Sequence, residues 1–397
     1  MADETKIKWA DKTHNEWIGC DKVAPECRVC YAETMNKHRK WMHVINSDGE
    51  KVGAWGKGIP RYLTTPNNRN KPYRWDRKAK ELGIKYRVFS DSLADWLDDE
   101  VPIEWLEGFL TTVTRTPNLT WLLLSKRYQD WESRFDLLLT SMKRVPENRD
   151  VRLMINRWID GNPPANVHIG MTAGSKQMAA MIPTFVEIPA LARFLSIEPL
   201  LEDNVPESLN GVHEIIVGGE NDSTAKPMHP GWVRKWFTLA DKSRAAKFFK
   251  QHGTWIEEEQ ARKARVQIRA GSDFGTLDIN GDFTPGVRPS PAFAMAGAVV
   301  VHKLGVEHTG DKFDGKLWED VVQPIAWEPT EPGLNVMATS LVAGHFVDKH
   351  PESGWVLYSR GEGSQWEQRT ARAFAPSKQH LPSKEGGIWR WKFIEED

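Results

Sequence analysis

Six short apolar runs recur between Tyr86 and Gln251, each followed by polar residues, and this rhythm most restricts the folds open to the chain. The runs are Tyr86–Phe89, Leu119–Leu124, Asn166–Ile169, Arg193–Leu195, Glu214–Val217 and Ala246–Phe249. They are nearly continuous rather than alternating, so they predict strands buried on both faces. Stretches with helical spacing lie between them, including Ile103–Val113, Lys176–Phe185 and Pro230–Ser243. Buried strands separated by helices predict an α/β fold with a parallel sheet. Six such units and an N-terminal segment predict a partial (β/α) barrel.

The residues after each run are polar. They read Ser90-Asp91-Ser92, Ser125-Lys126-Arg127, Gly170-Met171-Thr172, Ser196-Ile197-Glu198, Gly218-Gly219-Glu220-Asn221 and Lys250-Gln251. In a barrel these strand ends converge on the face where sites are built. Ser90, Asp91, Ser125, Thr172, Glu198, Gly219, Glu220 and Asn221 are therefore expected to hold a cofactor. Lys126, Arg127 and Lys250 are expected to act on anionic groups of substrate or cofactor. The plainer alternatives are helix caps, a tight Gly-Gly turn, and an ordinary pair of Lys250 with Glu198 or Glu220.

All the cysteines fall between residues 20 and 30, as Cys20, Cys27 and Cys30, in the spacing Cys-x6-Cys-x2-Cys. Thiolates packed this tightly form a metal-ligand pattern. Three on a four-iron cluster leave one iron open to a small molecule. Structural zinc is the competing reading, with His14 or His38 as fourth ligand, and three unrelated buried cysteines are the last. A helix expected over 31–43 would turn its N-terminus toward the cysteines, where partial positive charge favours an anion.

Composition narrows the classes. Hydrophobic content of 40% and charged content of 27% are ordinary for a globular chain, and no apolar run is long enough to span a membrane. The polar N-terminus lacks a signal-peptide core, and clustered cysteines favour a reducing compartment, so a cytoplasmic location is expected. A net charge of −1 gives no global nucleic-acid signal. Locally, Lys57–Arg87 carries ten Lys/Arg against Asp76 and Glu81, interleaved with Tyr62, Tyr73, Trp75 and Tyr86. This pattern suits a nucleic-acid groove or, more simply, a solvated basic helix face over core aromatics. Residues 46–75 read as an excursion rich in Gly, Pro and Asn.

The expected organisation is a barrel with its cluster loop over 1–255, a charged helix and Gly/Pro-rich extension over 256–334, and a β-rich α+β appendage over 335–397. Within the last, Trp355–Tyr358 and Gly387–Phe393 read as strands.

These motifs resemble a phage- and prophage-associated family with an N-terminal three-cysteine motif, related to the radical S-adenosylmethionine enzymes. The likeness runs from about Lys6 to about Pro324. It rests on Ile7-Lys8-Trp9, Gly19-Cys20, Tyr31-Ala32-Glu33, Val88-Phe89-Ser90-Asp91-Ser92 and Leu124-Ser125-Lys126-Arg127. It continues through Asn166-Val167-His168-Ile169-Gly170, Leu195-Ser196-Ile197-Glu198-Pro199, Gly218-Gly219-Glu220-Asn221 and Phe248-Phe249-Lys250-Gln251-His252-Gly253. The late segment from His302-Lys303-Leu304-Gly305 to Asp314-Gly315-Lys316 matches the family's closing motif.

The resemblance implies a barrel of radical-SAM type. It implies a [4Fe-4S] cluster on Cys20, Cys27 and Cys30, with S-adenosylmethionine on the open iron. It further implies cleavage to a 5′-deoxyadenosyl radical, an electron donor such as flavodoxin or ferredoxin, and phage- or prophage-encoded action in a host cytoplasm. Some members look like isomerases of DNA thymine hypermodification, which implies DNA or a modified nucleotide as substrate. Two departures stand out. The first cysteine spacing is x6 where most radical enzymes of this kind have x3, and residues after about 325 have no counterpart. The alternative from another class is a zinc-stapled nucleic-acid-binding protein without radical chemistry.

Overall fold

The structure, a computed structural model, describes residues 5, 7–39, 43–142 and 145–322 (the backbone alone for 38 and 39), with the backbone of five short strands between 345 and 390. Seven strands form one wholly parallel sheet in sequential order. They are β1 (Lys12–His14), β2 (Tyr86–Ser90), β3 (Leu119–Ser125), β4 (Val167–Thr172), β5 (Ala192–Ile197), β6 (Glu214–Gly218) and β7 (Ala246–Gln251). All six expected runs fall in strands that continue one to three residues beyond them, although β4 begins at Val167, one residue into its run. Strand β1 is not among the expected runs, because three residues carry no periodicity.

The sheet is curled into a half-barrel. Strands β2 and β6 are four steps apart, about 19 Å across a flat sheet at ~4.8 Å per step. Yet Arg87 on β2 reaches both carboxylate oxygens of Glu214 on β6, at 3.0 and 3.1 Å. The inner face closes on a small plug of Trp9, Phe89, Leu122, Phe194, Ile216 and Phe248. Gly170 on β4 makes room for it: a Cβ there would lie 2.0 Å from the Phe194 ring. The alternate residues, such as Val88, Trp121, Ile169, Leu195, Ile215 and Phe249, face the larger outer core.

Six helices of about two and a half turns or more recur through this part of the chain: α1 (Tyr31–Arg39), α2 (Lys71–Leu82), α3 (Ile103–Thr114), α4 (Trp131–Ser141), α5 (Arg149–Ile159) and α6 (Pro230–Ser243). The stretch expected as one helix over Lys176–Phe185 is instead two short helices, Lys176–Ala179 and Ile182–Val186. Pro183 falls in the first turn of the second, where it is tolerated, rather than in a helix interior. The supposed excursion over 46–75 is partly core. It ends inside α2, whose Lys71, Pro72 and Trp75 are buried.

After β7 the chain builds an antiparallel sheet of β8 (Trp255–Glu257), β9 (Phe274–Leu277), β10 (Phe283–Pro285) and β11 (Val299–Lys303), in the order β8-β11-β9-β10. It then returns to the barrel. Glu319 bridges Phe248 in antiparallel sense, and Val322 donates its N–H to Glu214 at 2.9 Å. The appendage expected over 335–397 lies outside the described residues except for its strands, among them His345–His350, Gly354–Arg360 and Ile388–Arg390. Among the described residues no helix is long and apolar enough to cross a membrane.

Two tests follow from this packing. Gly170→Ala should overpack the plug and cost about 1–3 kcal/mol, read as a lower urea midpoint at unchanged m-value. The second test is the acid limb of stability. Burial pushes His168 down to about 3 and His252 down to about 4. Both are neutral in the fold, while the unfolded chain protonates them below about pH 6.5. Their contribution is complete above that pH and is lost as pH falls toward 4. Buried Asp91 and Glu214 are shifted upward and act with the opposite sign, so the measurement is a comparison. His168→Gln should remove roughly 1.4 kcal/mol per pH unit from the stability slope between pH 6 and 4.5.

Candidate functional site

The cysteine segment forms an arch over the C-terminal ends of the strands. It departs from Gly19, whose φ of +109° and close approach to Ala54 exclude a side chain: a Cβ would lie 1.9 Å from the Ala54 carbonyl oxygen. The backbone of Cys20 is held by Gly56, which donates to its carbonyl at 3.0 Å. A short 3-10 turn, Pro25–Cys27, sets the middle of the arch. Its end is fixed by α1, where Thr34 donates to the Cys30 carbonyl. The arch touches four strand ends. Cys20 meets Arg127 after β3; Glu26 lies over Gly174 after β4; Arg28 pairs with Glu220 after β6 at 2.5 Å; and Tyr31 donates to the Ser92 carbonyl after β2. All three thiols are free and half-buried.

One flank of the arch is a buried charge network. Arg127 donates to the Cys20 sulfur and to the Asp21 carbonyl, each at 3.2 Å. Its guanidinium lies 3.6 Å from Asp95 and 3.9 Å from Asp98. Asp95 also accepts from the Ser125 hydroxyl at 2.6 Å and from the Lys126 amide at 2.9 Å. Asp98 is gripped by Arg61 at 2.7 Å, and Arg61 reaches Glu100 as well at 2.8 Å. Burial, reinforced by Asp95, pushes the Cys20 thiol up to about 12.

The other expected residues divide into engaged and free. Lys250 pairs with Glu198 at 2.5 Å, the plainer alternative for that lysine. Glu220 accepts from Arg28 and, at 2.7 Å, from the Lys226 amide. A Cβ on Gly219 would sit 2.0 Å from the His252 carbonyl oxygen, so this glycine serves packing against the β7 turn. Asp91 accepts the Glu16 amide at 3.0 Å, and Ser90 donates to Asp91; both tie together the C-terminal ends of the neighbouring strands β1 and β2. Asn221 is exposed.

Three groups stand apart. Glu26 is 5% exposed and Thr172 1% exposed, and neither Glu26 oxygen nor the Thr172 hydroxyl has a hydrogen-bond partner. Lys126 is half-buried, and among the described residues its amine forms no hydrogen bond or ion pair. Burial opposes its charge, but Cys27, Asp95, Cys20 and Glu26 around it raise its pKa on balance.

Sequence reasoning missed Glu26, Arg28, Asp95, Asp98 and Arg61. Glu26 carried a readable signal, an acidic residue inside a cysteine loop. Arg61 carried none, since its partners lie 37 and 39 residues away.

Among the described residues no three His, Cys, Asp or Glu groups gather tightly enough to share one metal ion. A single tetrahedral zinc needs sulfurs about 4 Å apart, given Zn–S of about 2.3 Å; a four-iron cluster puts each thiolate on its own iron. His14, the expected fourth zinc ligand, is instead committed to the core. Its Nε2 meets Glu16 at 3.0 Å and its ring lies against Phe109 and Trp121. The side chain of His38 lies outside the described residues. In donor chemistry the site fits a thiolate-held cluster: three unbridged sulfurs on one loop, with Arg127 and Lys126 to offset their charge. In the basic stretch, Trp75 packs into the core and Tyr73 meets the Thr112 hydroxyl, while Arg74, Arg77, Lys78 and Lys80 face solvent.

A family model described as a protein of unknown function, DUF5131, matches residues 4–322. No curated protein and no solved structure matches the chain.

The charge network gives a direct test of its own. Arg61→Met leaves the fully buried Asp98 without its main partner and should cost about 3–5 kcal/mol in chemical denaturation. Arg61→Lys should recover part of this.

Proposed function

We propose that this chain, which belongs to the DUF5131 family, is a radical S-adenosylmethionine enzyme. Its [4Fe-4S] cluster would be held by Cys20, Cys27 and Cys30, and its substrate would be a nucleotide- or DNA-base-linked group. The observation that carries this reading is the pair of unsatisfied groups beside the cysteines, the Glu26 carboxylate and the Lys126 amine. Burying a carboxylate without donors costs about 1–3 kcal/mol or more, so a ligand that brings donors is favoured there. A zwitterionic amino-acid head, such as the methionyl end of S-adenosylmethionine, would suit both, with Glu26 to hold its ammonium and Lys126 its carboxylate. Thr172, at the end of β4, has a further buried hydroxyl without a partner.

Bound together, cluster and cofactor supply one-electron cleavage of a sulfonium and a radical that abstracts hydrogen. The chain's own work is positional. The arch holds the thiols over the strand ends. The plug of Trp9, Phe89 and Phe194 keeps water from entering through the barrel. The Lys250–Glu198 and Arg28–Glu220 pairs border the mouth and offer groups that substrate can displace.

The isomerase and DNA-modification parts of the reading rest on the family resemblance. They gain support from the solvent-facing Arg74, Arg77, Lys78 and Lys80 on α2, which suit a phosphate backbone. The reading implies a reducing compartment, the cytoplasm, and an electron donor of flavodoxin or ferredoxin type. The zinc-stapled alternative keeps the basic face but loses His14 as a ligand.

The test is anaerobic reconstitution with iron and sulfide, then dithionite and S-adenosylmethionine, with 5′-deoxyadenosine followed by chromatography. Wild type should bind about four irons and form the nucleoside, and Cys27→Ala should not. Glu26→Gln should keep its iron while its affinity for S-adenosylmethionine falls about tenfold or more. A wild-type chain that refuses iron and holds one zinc ends this reading.

A further inference from the structure

We infer that Arg127 is a positioning residue for Cys20, and that it and Asp95 set the electron affinity of whatever the three cysteines hold. The inference rests on the cluster reading above, and it assigns Arg127 a task other than gripping substrate.

The geometry is specific. Arg127 is 2% exposed. One of its nitrogens donates to the Cys20 sulfur and another to the carbonyl of Asp21, both at 3.2 Å, so the guanidinium holds the cysteine and its backbone together. The backbone of Arg127 is itself fixed, because its amide donates to the Ser125 hydroxyl at 2.8 Å. That hydroxyl donates in turn to Asp95. The anchor therefore stands on the end of β3, a rigid strand, while Cys20 stands on a loop. Gly56 holds the backbone of Cys20 through its carbonyl, and Arg127 adds the contact to its sulfur. Asp21 supplies its backbone carbonyl to the arrangement.

The electrostatic consequence has two opposed parts. An N–H···S bond and a nearby cation favour the more electron-rich state of a thiolate-held group, and hydrogen bonds to the sulfurs are a known lever on cluster potential. Asp95, 3.6 Å from the guanidinium, partly offsets that cation. Removing Arg127 and neutralising Asp95 should therefore move the potential in opposite directions. A purely structural role moves both the same way, or changes only the iron content.

The experiment reconstitutes wild type, Arg127→Met, Arg127→Lys and Asp95→Asn with iron and sulfide. Iron per chain is measured, then the midpoint potential by redox titration followed by electron paramagnetic resonance. In Arg127→Met each carboxylate keeps another partner: Asp95 keeps Ser125, and Asp98 keeps Arg61. At equal iron content, Arg127→Met should shift the potential negative, Asp95→Asn positive, and Arg127→Lys should fall between Arg127→Met and wild type. Shifts of one sign, no shift, or loss of iron in the variants alone overturn this inference and leave the cluster reading standing. A wild-type chain that takes up no iron overturns both.

Discussion

The contact of Arg87 with Glu214 joins two strands that a flat sheet would hold far apart, and much of the molecule follows from it. A buried guanidinium facing a buried carboxylate is tolerable only when each satisfies the other. Here both of the carboxylate's oxygens are used, and the remaining capacity goes to the backbone of Trp9 and Val322. The pair spans the curled sheet and holds its two flanks together. Curling brings Phe89, Phe194 and Phe248 into one small plug, and the strand ends above that plug then point toward a common mouth. A flatter sheet would keep the same helices outside but would have no mouth for the cysteine arch to cover.

Much of this was legible in the sequence because buried parallel strands are nearly continuous apolar runs. Leu119–Leu124 and Glu214–Val217 could be little else. The helix over Pro230–Ser243 was equally plain, with its proline in the first turn and Trp232, Val233, Trp236 and Phe237 on one side. What escaped was whatever lacks length or depends on distant partners. Strand β1 is three residues long and is recognisable only once β2 lies beside it. Only the opening of α2 was hidden, by its Asn, Pro and Lys residues; the basic face of this helix over core aromatics was the simpler reading of Lys57–Arg87.

The site was legible in position more than in detail. Polar residues after every run located the mouth, and the cysteines located its cover. The assignment of individual side chains was less accessible, because a charged residue at a strand end reads the same whether it is paired or free. Lys250 and Lys126 look alike in sequence; one has Glu198 as partner and the other has none among the described residues. Glu26 differs from Glu220 in the same way, since Arg28 reaches one and not the other. Sequence spacing carries no information about such choices, which depend on what the arch happens to bring down onto each strand.

The segment 318–322 has a further consequence. It pairs along β7 and ends at Glu214, at the opening of β6 rather than at its close. The exit point of the chain is thus at the base of the barrel, with the six residues of a strand such as β5, roughly 20 Å of backbone, between it and the opposite rim. Whatever is attached beyond that point begins on the side away from the thiols.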